Sequence, residues 1–335
     1  MAKKLEPVPL TLHYRLIGES QGGYIDLSQG ISLLTRKFFR QGLCWAVNGI
    51  DLFTGSGING RILVEKIPDG WVASNSWVKG FSDWNKMIRN ALAETESVRP
   101  RFLDFKVFAD HTHAQAGVGA NLLPQTSALI GSGSTTNPTL GDWDYSTVQI
   151  PDTLNGGIDE REIIFVGASY AGAGASGLFN VGLIEGYAAS RGLPQIRDPN
   201  VPDDAADTDG AAPENWGAAM FNEGISQSAE VIEDMITENT RAPYPFENDG
   251  TSTDTQYPGG ANQFPNLMLH DMVDVTATTI GSHSKIKGGV FNCGLIKVYK
   301  ENSFSTGPTT VTDILIHMVP GDHRGYLAMP MQDVN

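Results

Sequence analysis

Gly167-Ala168-Ser169-Tyr170-Ala171 comes within one residue of the GxSxG elbow of serine hydrolases. In that elbow a sharp strand-to-helix turn lifts the serine hydroxyl above a sheet, beside an oxyanion hole of backbone amides. An α/β-hydrolase-like serine esterase built on Ser169 would take its base from His270, His283, His317 or His323 and its acid from Asp271 or Asp274. The simpler reading is a Gly/Ala-rich strand and turn whose small residues allow close packing. We take that as the default and the esterase as the alternative.

Two stretches match GxGxxG. Gly55-Ser56-Gly57-Ile58-Asn59-Gly60 follows a strand-like run, but RILVEKI comes next and alternates like a strand. A dinucleotide loop needs a helix there, because the pyrophosphate rests on helix N-terminal amides. The match reads as a Gly-rich hairpin. Gly172-Ala173-Gly174-Ala175-Ser176-Gly177 follows EIIFV and precedes a helix candidate, LFNVGLIEGYAASRG. The next strand of such a unit would be LPQIRDPNVPDD, which proline interrupts.

Metal chemistry has two candidates. Asp110, His111 and His113 stand at the end of a strand-like run, where alternate histidines face one way and could share a zinc ion. Asp203, Asp204, Asp207 and Asp209 precede Gly210, as in part of a calcium loop. With Gly210 at the sixth place, Ala205 and Trp216 fall on the first and twelfth, so the EF-hand register fails. Solvated acidic loop and hydrogen-bonded histidines are the expected states. No metal or other cofactor is expected, with loose Ca²⁺ at the acidic loops as the alternative. Cys44 and Cys293 sit in apolar runs and read as buried free thiols of a chain that folds inside a cell.

Arg36, Lys37 and Arg40 interleave with Phe38 and Phe39, and with Lys3 and Lys4 they are the basic concentrations near the start. Cations mixed with aromatics can hold a nucleic-acid backbone and stack its bases. A sheet edge with core aromatics and solvated charges is the competing reading. The net charge of −15 is unevenly spread: residues 1–110 carry +3, 111–270 carry −17 and 271–335 carry −1. An acidic surface repels phosphates and anionic membrane, so nucleic-acid contacts must come from the ends.

The elements that position these residues are mostly strands. Strand-like runs lie at 11–18, 32–40, 43–53, 60–67, 101–110, 145–151, 161–170, 272–280, 289–300, 312–319 and 325–331, separated by Gly, Pro, Asn and Ser. Residues 74–96 instead place Trp77, Phe81, Trp84, Ile88, Ala91 and Leu92 at helical steps, with Ser74, Asn75 or Ser76 as N-cap. A second helix is expected within 214–238, and 197–214 and 246–265 read as long exposed loops. Charged residues make up only 18% of the chain, which suits a protein that buries surface against neighbours. No run is long and apolar enough for a spanning helix. The expected fold is mainly β: a sandwich with one or two inserted helices and long acidic loops.

Four phrases together resemble the capsid proteins of small environmental circular single-stranded DNA viruses that encode a replication initiator. They are YIDLSQGISLLTRKFFRQGLCWAV (24–47), KIPDGWVASNSWVKGFSDWNKM (66–87), RFLDFKVFADHTHAQAGVGANLLP (101–124) and HMVPGDHRGYLAMPMQDV (317–334). The resemblance implies a jelly-roll coat protein that self-assembles, inside the host cell, into an icosahedral virion shell around a small genome. Residues 1–124 and 271–335 would form the shell domain, and 125–270 an acidic insertion or outward projection. Partners would be further copies of the chain, genomic nucleic acid on the inner face and a host receptor on the outer face, with no membrane and no enzymatic activity. The nucleic-acid contacts would be Lys3, Lys4, Arg36, Lys37 and Arg40. One departure stands out: such coat proteins begin with a long Arg/Lys-rich arm, and this sequence has only Lys3 and Lys4 there.

Overall fold

The computed structural model describes residues 7–17, 22–55, 59–91, 104–125, 139–152, 157–167, 170–171, 179–190, 266–276, 282–301 and 311–333. In chain order the elements are β1 (Thr11–Ile17), β2 (Gly22–Asp26), α1 (Leu27–Thr35), β3 (Leu43–Thr54), β4 (Gly60–Lys66) and α2 (Trp71–Ala91). Then come α3 (His111–Ala116), β5 (Thr147–Asp152), β6 (Gly157–Ile164), β7 (Tyr170–Ala171), β8 (Phe179–Gly182) and α4 (Leu183–Ser190). The C-terminal part holds β9 (Met268–Val275), β10 (His283–Phe291), β11 (Leu295–Lys300), β12 (Val311–Met318), β13 (Pro320–Gly321), β14 (Gly325–Tyr326) and β15 (Ala328–Pro330). The protein is mainly β. Among the described residues every ladder is antiparallel except β6 with β8.

By internal contacts the chain divides into two units. One comprises 1–67, 116–144 and 268–334, and the other 68–115 and 145–267.

The first unit holds two four-strand paths, β1-β12-β3-β10 (with β15 also on β3) and β2-β11-β4-β9. Both send inward rows into one core. Leu12, Tyr14 and Leu16 of β1, Ile314, Ile316 and Met318 of β12, and Ile62 and Val64 of β4 follow the two-residue period of a half-buried strand. In β3 the period breaks: Leu43, Trp45 and Val47 point inward, and so do Ile50 and Leu52. The register skips Asn48, since Gly49 pairs with His317 and Val47 with Met318, so a bulge at Asn48 switches the inward phase. Across from it Gly288 lies so close that a Cβ would strike the carbonyl oxygens of Val47 and Asn48. Residues 121–125 run along the outer strands. Leu122 N–H donates to Tyr24 O (2.7 Å) and Gln125 N–H to His13 O (2.6 Å).

Residues 32–40, expected as a strand, instead finish α1 and a loop. Asp26 caps the helix by accepting from Gln29 N–H at 3.2 Å, and Leu27 and Ile31, four apart, bury the same face. Arg36 closes it in the left-handed region at φ 55°. The expected hairpin at 54–60 is corrected as well, because β3 and β4 belong to different sheets. The run 289–300 is broken at Asn292–Gly294, where Cys293 and Gly294 take φ of 55° and 68°.

In the second unit the sheet order is β5-β6-β8-β7. Trp77 and Trp84 of α2, seven residues apart, pack on Phe105 with centroids at 5.0 and 5.5 Å. Gly80 lets α2 approach Leu183 of α4, where a Cβ would collide with that side chain. The helix starts at Trp71, three residues before the expected cap. Residues 104–110, expected as strand, form no ladder and are tied in through the bridge of Phe108 to Ile164, its flanking hydrogen bonds and the N–H of Ser146, which donates to Lys106 O at 2.9 Å. The helix expected within 214–238 and the loops at 197–214 and 246–265 lie outside the described residues.

Candidate nucleic-acid interface

The basic segment 36–40 is held from inside. Phe39 is buried, its ring 5.7 Å from Trp45 and 5.9 Å from Tyr326. Its N–H donates to Ser32 Oγ at 2.9 Å, and Ser28 Oγ donates to Arg40 O at 3.2 Å while accepting from Trp45 Nε1 at 3.1 Å. Gln41 Nε2 donates to the cap residue Asp26 at 3.0 Å. With Phe39 anchored, Arg36, Lys37, Phe38 and Arg40 are left exposed. Such a loop presents several cations on a backbone fixed by the core, which lowers the ordering cost of binding a phosphate chain.

Arg324 joins the segment although 286 residues separate it from Phe38. Its Nη1 donates to Phe38 O at 2.9 Å, and its guanidinium lies 5.6 Å from the Phe39 centroid. It too is in the left-handed region, at φ 51°, on the turn between β13 and β14. Its local signal is only the turn-like GDHRG, which points to no partner. Beside it burial, then the Arg324 charge, pushes the His323 imidazole down. Phe38 contacts Trp143 at 6.1 Å, and Asp142 and Asp144 flank that Trp in exposed positions. Lys3 and Lys4 lie outside the described residues.

Ser169 and 172–178 lie outside the described residues, as do Asp203, Asp204, Asp207 and Asp209. His283 and His317 face Asp51, with Nε2 at 3.3 and 2.9 Å from its oxygens. His270 Nε2 meets Lys287 O at 2.9 Å. Asp271 accepts from the N–H groups of Met272 and Lys287, and Asp274 pairs with Arg61 at 2.7 Å. Burial raises the Asp51 carboxyl, but hydrogen bonds from His317 and His283 and the Lys285 charge outweigh it and hold the group below the usual range.

Asp110, His111 and His113 do not end a strand. Asp110 accepts from His113 N–H at 2.8 Å at the start of α3, and the buried His113 ring accepts from Ala109 N–H at 3.1 Å. His111 points elsewhere, because the helical step separates residues that a strand would align. Among the described residues no group of three or more His, Cys, Asp or Glu is placed to hold a metal ion. Nor is any described helix long and apolar enough to cross a membrane. Neither cysteine is in a disulfide, both are buried, and burial pushes the Cys293 thiol well up.

Comparison with protein-family models, with curated proteins and with solved structures finds no match for this chain.

Proposed function

We propose that this chain is a viral coat protein: a jelly roll that self-assembles into an icosahedral shell around a small, circular single-stranded DNA genome. The observation that carries the reading is strand order. Counting only β1–β4 and β9–β12, the sheets run first-eighth-third-sixth and second-seventh-fourth-fifth. That is the order two nested Greek keys produce in a jelly roll. Lectins and cupins use the same architecture, so the fold alone does not select the function. The resemblance of the four phrases to coat proteins favours it, and two of them contain parts of the basic site, Arg36–Arg40 and Arg324.

In this reading the first unit (1–67, 116–144 and 268–334) builds the shell, in place of the expected 1–124 and 271–335, and the acidic part within 145–267 projects outward, where a host receptor would meet it. The sign of the charge supports that direction, since residues 111–270 carry −17 and are costly beside phosphates. Arg36, Lys37 and Arg40, with Lys3 and Lys4, face the genome, and Arg324 adds a further guanidinium. No catalytic step is involved; apolar surface and backbone pairing join the subunits.

Electron microscopy of the purified protein, with the 260/280 nm absorbance ratio, tests the reading. Uniform closed particles are expected, and replacing Arg36, Lys37 and Arg40 with Gln should lower their nucleic-acid content while leaving shells intact. Only dispersed monomers or dimers across a range of salt and calcium would overturn it.

A further inference from the structure

Histidines collect on one sheet. Along the outer face of β1-β12-β3-β10, β1 presents His13 and Arg15, β12 presents Asp313 and His317, and β3 presents Asp51 and Phe53. On β10 the outward groups are His283, Lys285 and Lys287. At the neighbouring edge β9 adds His270 and Asp271, the latter 3.9 Å from Lys287. Four of the seven histidines of the chain therefore share this surface.

Its charge depends on protons. Arg15, Lys285 and Lys287 offset Asp51, Asp313 and Asp271, so with neutral imidazoles the face carries no net charge. With all four imidazoles protonated it carries +4, in a chain whose net charge is −15. The cations are accessible: the Lys285 and Lys287 side chains are 73% and 66% exposed. Among them Phe53 is 38% exposed and stacks on His283, centroids 4.7 Å apart and planes within 14°.

We propose that the outer face of this sheet is a proton-gated binding site for single-stranded nucleic acid. Cations and imidazolium groups take the phosphates, and the Phe53–His283 stack offers a flat π surface to a base. Stacking requires a base free of its duplex, so the face selects single strands. Acid loads it and alkali releases it. The site is separate from the Arg36–Arg40 segment and rests on the coat-protein reading only for the source of the strand.

The test is fluorescence anisotropy of a labelled oligothymidylate of about twenty nucleotides, with a duplex of equal length as control, at pH 8 and pH 6. Single-strand affinity should rise about tenfold or more at pH 6, and the duplex should bind more weakly. The exposed pair Lys285→Gln/Lys287→Gln, which disturbs no core contact, should weaken binding at pH 6 and flatten the log–log salt slope by roughly 1.4. His283→Gln/His317→Gln should remove about half of the pH dependence, whereas Arg36→Gln/Arg40→Gln should keep it. Wild-type binding by the lysine variant, or unchanged pH dependence in the histidine variant, overturns the proposal. So does acid-promoted self-association without oligonucleotide binding, which would give the face to an acidic surface of a second copy. Closed particles formed by a lysine variant that binds DNA normally would sink this inference and spare the coat reading. Acid-tightened binding by subunits that never assemble would do the reverse.

Discussion

Replacing Gly288 with alanine probes the bulge on which the inner face of β3 depends. The position has no left-handed φ, so its need for glycine is steric: a Cβ would meet the carbonyl oxygens of Val47 and Asn48. Those atoms belong to the paired strand and cannot turn aside as a side chain would. Relief requires β10 to move away from β3, straining the neighbouring pairs Lys287–Gly49 and Gly289–Val47. Overpacking costs about 1–3 kcal/mol, and weakening one or two ladder hydrogen bonds adds about 1 kcal/mol. The expected loss is about 2–4 kcal/mol. Two neighbours serve as controls. At Gly289 a Cβ would lie 2.7 Å from His270 Cε1, a ring able to swing, so alanine there should cost about 1 kcal/mol. At Gly49 the nearest atom is Ile286 O at an ordinary 3.6 Å, and alanine should change stability by less than about 0.5 kcal/mol. Urea denaturation followed by circular dichroism reads all three as midpoint shifts at constant slope. If Gly288→Ala and Gly49→Ala fall together, the close approach at the bulge is wrong.

Two further outcomes follow from buried and paired groups. Burial raises the Asp313 carboxyl, but Arg15 (2.7 Å) and His13 (2.8 Å) outweigh it and hold the group below its ordinary value. Its stabilisation is therefore complete above the unfolded pKa of about 3.9 and fades as pH falls through the folded one. Asp313→Asn should cost about 1 kcal/mol at pH 7 and progressively less as pH falls through the folded value, and a gap in urea midpoints that stays constant with pH would contradict this. Because burial, then the charges of Cys44 and Asp26, raise the Cys293 thiol, both cysteines should react with an aromatic disulfide reagent at least about a hundredfold faster in denaturant than in the native protein. Rapid native labelling of either would show that this part of the core opens.

The strands of the first unit were the easiest part to read, because Leu12/Tyr14/Leu16 and Ile314/Ile316/Met318 alternate without interruption. The stripe of α2 was equally plain, since Trp77 and Trp84 recur at helical spacing. Residues 32–40 misled because Leu, Thr and Phe suit either period over so short a run, and the deciding contacts, Asp26 to Gln29 and Phe39 to Tyr326, depend on capping and on distant chain. The bulge at Asn48 left no mark beyond a broken alternation. Of the basic site, Arg36, Lys37 and Arg40 could be picked out as neighbours in sequence. Arg324 could not, because only the fold brings the turn after β13 to Phe38. The histidine face was scattered over five strands and became visible only once their register was known.

The chain leaves the two sheets of the first unit after β4 and returns in β9, the strand lying directly beside it, where Lys66 pairs with Met268. Strands so paired stand about 5 Å apart, so a turn of a few residues could bridge the gap and the intervening two hundred positions resemble a removable cassette. The hydrogen bonds of residues 121–125 make that splice incomplete. Midway through its excursion the chain comes back to donate to Tyr24 and His13 and to join Asn121 to Gln29 at 2.9 Å. Excising everything between the two strands would also strip this strap from β1 and β2, baring backbone groups that another chain could pair with. Any natural or engineered exchange of the second unit would have to swap two separate pieces, 68–115 and 145–267, and keep the strap between them.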